Sequence, residues 1–89
     1  MKNDEKQQAL ENAKKILIKI SRDLSTPRNI RRAARNALRE LENEDLSLAL
    51  RAANAIDILQ EITDDPQIPP FARTAILEAI SLLDMVAKE

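Results

Sequence analysis

Asp23-Leu24-Ser25-Thr26-Pro27-Arg28-Asn29-Ile30-Arg31-Arg32-Ala33-Ala34 reads as a turn opening into a helix, and the chain writes it a second time. The copy begins 42 positions later (23 to 65), as Asp65-Pro66-Gln67-Ile68-Pro69-Pro70-Phe71-Ala72-Arg73-Thr74-Ala75-Ile76. The same offset pairs Asn12 with Asn54, Ala13 with Ala55, Ile16 with Ile58, Leu17 with Leu59, Ile20 with Ile62, Ala37 with Ala79 and Leu41 with Leu83. A register held over that span predicts a duplicated helix-turn-helix unit. The fold class follows: all-α, four antiparallel helices from two like hairpins, within one domain spanning residues 1–89. The expected arrangement is an up-down-up-down bundle, whose four apolar stripes meet on one axis. The alternative is two hairpins stacked in series, which leaves end surfaces uncovered.

Outward from the first turn, the spacing predicts helix 1 over about 4–23, with Leu10, Ala13, Ile16, Leu17, Ile20 and Leu24 on its apolar face. Lys14, Lys15, Lys19 and Arg22 fall off that stripe. Thr26 is placed to cap helix 2 and Pro27 to occupy its first position, where the missing N–H costs nothing. Helix 2, over about 27–42, has Ile30, Ala34, Ala37, Leu38 and Leu41 on one side and Arg28, Arg31, Arg32, Arg35 and Arg39 on the other. Helix 3, about 48–64 with Ser47 or Asp45 as its cap, is apolar nearly all round. Only Arg51, Asn54 and Asp57 interrupt it between Leu48 and Leu59, which predicts burial on most sides. Helix 4, about 69–87, has a full core face in Ala72, Ala75, Ile76, Ala79, Ile80 and Leu83. Leu77, Leu82, Met85 and Val86 are left over as a candidate surface for self-association.

Each repeated turn sets an Asp against an Arg eight residues on: Asp23 with Arg31, and Asp65 with Arg73. An Asp at a helix C-terminus opposes the helix dipole, so a compensating partner is expected. That partner is the next helix's N-terminal amides or the Arg itself. A metal role for the adjacent Asp64 and Asp65 is the thinner reading, since hard cations want more oxygen ligands than two carboxylates supply.

From Asp23 through Ile30-Arg31-Arg32-Ala33-Ala34-Arg35-Asn36-Ala37-Leu38-Arg39-Glu40-Leu41, the chain resembles the second half of a HEAT repeat, so that stacked HEAT-like units are the form a serial arrangement would take. The second copy departs from that pattern with Ala72 before Arg73 and with Ile80 for Leu, and both turns are longer and Pro-bearing. The whole chain more specifically resembles the small archaeal UPF0147 proteins. The likeness is carried by Thr26-Pro27-Arg28-Asn29-Ile30-Arg31-Arg32-Ala33-Ala34, Arg51-Ala52-Ala53-Asn54-Ala55-Ile56 and Asp65-Pro66-Gln67-Ile68-Pro69-Pro70-Phe71-Ala72-Arg73-Thr74. It implies a compact four-helix domain and brings no activity with it.

The inventory narrows the chemistry. With no Cys and no His among 89 residues, disulfides, zinc fingers, catalytic thiols and imidazole acid-base catalysis are excluded. No Gly is present to build a phosphate loop, and Ser21, Ser25, Thr26, Ser47, Thr63, Thr74 and Ser81 read as caps and helix-surface hydroxyls. No enzymatic activity, cofactor or small-molecule substrate is expected. The start lacks a signal-like apolar run and no stretch is long enough to span a membrane, so a cytoplasmic location is expected. The absence of Gly and the 33% charged content lean toward a thermophilic source.

A net charge of -1 conceals a division: residues 1–39 hold eleven Lys or Arg against four Asp or Glu, residues 40–89 three against eleven. The halves should attract, within one chain or between chains. Two partner classes follow. One is a protein partner or second copy, met through the apolar surplus of helices 3 and 4. The other is nucleic acid or the ribosome, met by Arg28, Arg32, Arg35 and Arg39 with Lys14, Lys15 and Lys19.

Overall fold

The computed structural model describes residues 2–88, which form α1 (Lys2–Arg22), α2 (Arg28–Leu41), α3 (Leu48–Thr63) and α4 (Pro70–Ala87). Each helix packs against two others in a closed ring: α1 on α2, α2 on α3, α3 on α4 and α4 back on α1. The pairs that serial stacking would bring together, α1 with α3 and α2 with α4, do not meet. The molecule is an up-down-up-down bundle of 37 × 23 × 20 Å, and the stacked HEAT-like alternative is set aside.

One core runs through the ring, and the repeat is legible inside it. Leu17 and Leu59, Ala13 and Ala55, Ala37 and Ala79, and Leu41 and Leu83 are all buried. Where the copies differ they compensate: Ile30 and Ala34 on α2 become Ala72 and Ile76 on α4, all four buried, so large-then-small is exchanged for small-then-large at constant volume. The many alanines let neighbouring helices approach closely. The apolar excess of α3 is absorbed sideways. Leu48, Ile56, Ile58 and Ile62 are partly buried against the core, and only Leu50 is exposed among its large apolar side chains.

Three expectations change. Leu24 lies beyond the end of α1 and is 83% exposed, because the helix stops at Arg22 and the turn swings it outward. Val86 faces inward at 1% exposure and joins the core; Leu82 packs partly against it, which leaves Leu77 and Met85 as the exposed apolar pair. Thr26 does not cap α2. Pro27 takes the N-cap position with extended backbone, and Thr26, one residue earlier, is buried with its hydroxyl unpartnered. Ser47 does cap α3, its Oγ accepting from the Leu50 amide at 3.2 Å.

The turns explain why the repeated Asp is there. The Asp23 carboxylate accepts from the Ser25 amide at 2.9 Å and the Ser25 hydroxyl at 2.6 Å, while the Thr26 amide donates to the Asp23 carbonyl at 3.0 Å. The Ser25 hydroxyl, then its amide, hold the Asp23 carboxyl below the usual carboxylate range, against a smaller cost of desolvation. Asp65 accepts from the Gln67 amide at 2.8 Å in the same way. Neither Asp pairs with its Arg, because a donor two residues away is closer than a guanidinium in the next helix. Arg31 Nε instead donates to the Thr26 carbonyl at 3.1 Å, and Arg73 is exposed with no hydrogen bond of its own side chain among the described residues.

The middle turn repeats the device, unforeseen from the sequence. Asn43 accepts from the Asp45 amide at 3.1 Å, and Arg51 Nε donates to the Leu46 carbonyl at 2.8 Å. The signal was present, since Asn43 to Arg51 keeps the eight-residue interval of Asp23 to Arg31. In all three turns the residue four after the Asx is the N-cap, and its carbonyl takes the first helical bond from the Arg amide, at 3.0, 2.9 and 3.0 Å.

Candidate functional site

Burial of Ile30, Ala33, Ala34, Ala37 and Leu41 fixes the rotation of α2 about its axis. That rotation points Arg28, Arg32, Arg35 and Arg39 outward, and all four are exposed. At 1.5 Å per residue the row is about 16 Å long. Nothing acidic stands in the first turn of α2, where Arg28 opposes the helix dipole instead of satisfying it. Such a placement is locally unfavourable by some tenths of a kcal/mol.

The arginines are thinly engaged by the protein. Arg35 Nη1 reaches the Ser21 carbonyl of α1 at 3.3 Å and Arg39 Nη1 reaches Asn36 Oδ1 at 3.3 Å; among the described residues the Arg28 and Arg32 side chains donate to no protein group. Among the described residues the one ion pair within 4.0 Å is Lys88 with Asp84, on α4 and just beyond it. No direct ion pair therefore links the acidic second half to the basic first half among the described residues, although Glu42 and Glu61 line grooves with Arg35, Arg39 and Arg32. Two of its carboxylates accept from amides instead: Glu40 from Asn54 at 3.2 Å, and the second oxygen of Asp65 from Asn29 at 2.6 Å.

α1 extends the basic face. Lys14 lines a shallow groove of about 290 Å³ between α1 and α2, with Ile18 and Leu38 as its floor and Arg35, Arg39 and Glu42 at its edge. Lys15, Lys19 and Arg22 are exposed along the outer surface of α1. The lone aromatic, Phe71, lies away from the α2 arginine row, in the groove between α1 and α4 beside Ile16, Lys19, Ile20 and Asp23. Base stacking and the arginine row thus lie on different faces. The turn residues Asp23, Arg31, Asp65 and Arg73 gather at one end of the bundle, where Asn29 reaches Asp65. Among the described residues no three acidic side chains gather where they could hold a metal ion, and no helix is long and apolar enough to cross a membrane.

Comparison with known proteins gives consistent results. The sequence profile of an uncharacterised protein family, UPF0147, matches residues 1–86. A UPF0147 protein of Sulfurisphaera tokodaii is 52% identical over 71 residues, 80% of each chain. One from Aeropyrum pernix is 51% identical over 74 residues, 83% of this chain and 81% of that one. Among solved structures, a UPF0147 protein of Thermoplasma acidophilum superposes with a TM-score of 0.89 at 30% identity, covering 93% of this chain and 98% of that one. A second, of a protein of unknown function, gives 0.83 at 42% identity over 85% and 86%.

Proposed function

The chain belongs to the uncharacterised archaeal family UPF0147, and we propose that it is a cytoplasmic binding module that holds a nucleic-acid backbone against the arginine face of α2. The observation that carries this reading is the row Arg28, Arg32, Arg35 and Arg39, exposed at regular spacing with no carboxylate within ion-pairing distance among the described residues. A guanidinium is weakly hydrated and forked, and it matches phosphate oxygens two at a time. A regular row of such groups suits a regular row of phosphates. With Phe71 on another face, the contacts are to the backbone and carry little sequence preference. The acidic second half confines the nucleic acid to one side of the molecule. Catalysis has no part in this reading: the chain has neither His nor Cys, and Asp23, Ser25, Ser47 and Asp65 are engaged in turns and a cap.

Fluorescence anisotropy with labelled single- and double-stranded RNA and DNA, over a salt series, tests the reading. Affinity should fall with salt, with a log-log slope of about -0.9 per phosphate contact for duplex DNA. Each single Arg→Gln change in the row should lower the slope's magnitude by about one. Arg28, Arg32, Arg35 and Arg39 all changed to Glu should abolish binding while circular dichroism stays helical. Binding that ignores salt, or that survives the quadruple variant, overturns the proposal; capture of an acidic protein in its place would mark the row as a protein-binding face.

A further inference from the structure

A half-turn about the long axis of the bundle carries α1 onto α3 and α2 onto α4, and the 42-residue offset says which residue lands on which. The grooves obey it. The groove between α1 and α4, with Ile16, Ile20, Phe71 and Ala75, lands on the groove between α2 and α3, with Ile58, Ile62, Asn29 and Ala33. Core positions stay apolar under the rotation. One exposed row changes sign at every member: Lys15, Lys19 and Arg22 on α1 land on Asp57 and Glu61 of α3 and Asp64 at its end. All six are exposed, and none has an ion-pair partner within 4.0 Å among the described residues.

We infer that the chain associates side by side with further copies of itself, α1 of one protomer against α3 of the next, the basic row meeting the acidic one. Rotation about the long axis leaves height unchanged, so the two rows stand at matching levels on opposite sides of the bundle. A second copy slid sideways without rotation therefore sets Lys15 opposite Asp57, Lys19 opposite Glu61 and Arg22 opposite Asp64. α1 and α3 run in the same direction, so the interval of four and then three residues agrees along the seam. Glu11, one turn before Lys15, meets Ala53 and introduces no like charge; the one like-charge meeting in this register is Asp23 with Asp65, each already holding a turn amide of its own chain. At the far end Leu24, 83% exposed, meets the exposed Pro66, an apolar contact closing the row.

The two surfaces in this contact differ, so it is heterologous: every added copy leaves one basic and one acidic row free, and the association is an open row rather than a closed dimer. Exposed ion pairs are individually weak and salt-screened, so assembly belongs to high protein concentration and low ionic strength. The seam does not use the α2 arginines, and the inference stands whatever those arginines bind.

Sedimentation velocity on nuclease-treated protein, with no nucleic acid present, separates this inference from the previous one. The wild-type mass should rise with concentration past that of a dimer at low salt and return to the 10.0 kDa chain at about 0.5 M salt. A variant with Lys15, Lys19 and Arg22 changed to Glu should remain monomeric, as should one with Asp57, Glu61 and Asp64 changed to Lys. Mixing the two should restore association. A single chain carrying both sets of changes, with the wild-type net charge, should regain self-association; circular dichroism checks that each variant is folded. A wild-type mass independent of concentration at low salt, growth that stops at a dimer, association surviving in either single-row variant, or a double variant that stays monomeric would each overturn the inference.

Discussion

The hairpin α1–α2 and the hairpin α3–α4 share a backbone plan and a core, and they differ nearly everywhere else. Leu17 and Leu41 have buried counterparts in Leu59 and Leu83, and each hairpin enters its second helix through an Asp-led turn with Pro at the N-cap. Outside the core the copies diverge. The arginines at 28, 32, 35 and 39 correspond to Pro70, Thr74, Leu77 and Ser81, and the basic row of α1 corresponds to an acidic one on α3. Packing constrains the interior because a lost or added methylene is felt there. Exposed side chains carry little of the stability, and their charge has been free to diverge.

The comparison is most exposed to disproof in the core. Leu17→Ala and Leu59→Ala should each cost about 2–5 kcal/mol by denaturant unfolding, and the two values should agree within about 1 kcal/mol because both side chains are wholly buried at equivalent positions. A large inequality would show that the hairpins are alike in trace only.

A smaller effect is expected where equivalent residues do different work. Arg31→Ala and Arg51→Ala should each lose about 1–2 kcal/mol, since each removes a part-buried guanidinium bond to a turn carbonyl. Arg73→Ala, at the same repeat position as Arg31 but exposed and unbonded, should stay within about 0.5 kcal/mol of the parent. Equal losses at 31 and 73 would contradict the division of roles drawn from the turns.

Thr26 sharpens the comparison in the opposite direction. Its place in the turn is filled by Leu46 and Ile68 in the other two, and its buried hydroxyl has no partner. Thr26→Val keeps the shape, removes the orphaned hydroxyl and should raise stability by about 0.5–1 kcal/mol. A loss of stability on this change would mean that the hydroxyl is hydrogen-bonded.

The smallest effect is the pH dependence at Asp23. Its carboxyl is held below its ordinary value of 3.8, so its contribution is complete above that value and is lost as pH falls through the lower folded one. Asp23→Asn installs the group that the middle turn uses at Asn43. Thermal melts should show the parent above this variant near neutrality, with the gap closing on acidification below 3.8. A gap that widens in acid would reverse the assignment.

Much of this was readable in advance, and the limits have physical causes. Helix bounds came within about two residues, because apolar periodicity, the Ser47 cap and the prolines act over one or two turns. The arginine row of α2 was equally plain, since 3.6-residue geometry alone puts those side chains on one face. The purpose of Asp23 and Arg31 was harder. Sequence spacing set them as a pair, whereas the competing donor at Ser25 and the competing acceptor at Thr26 emerge only from the turn's backbone path. The surplus on α4 was misjudged at Val86, whose side depends on how far α1 and α3 wrap around that helix.

By itself, then, the sequence determined four helices, the doubled hairpin, the positions of the turns and the sign of charge on each helix face, because each depends on residues close together in the chain. Tertiary structure decided that α4 returns to α1 and closes a ring, that Asn29 reaches across to Asp65, and that α1 and α3, which carry the basic and acidic rows, stand at opposite corners of it. Those outcomes depend on contacts between helices far apart in the chain. Several packings satisfy the same stripes, and the one adopted is that in which all four bury them on one axis.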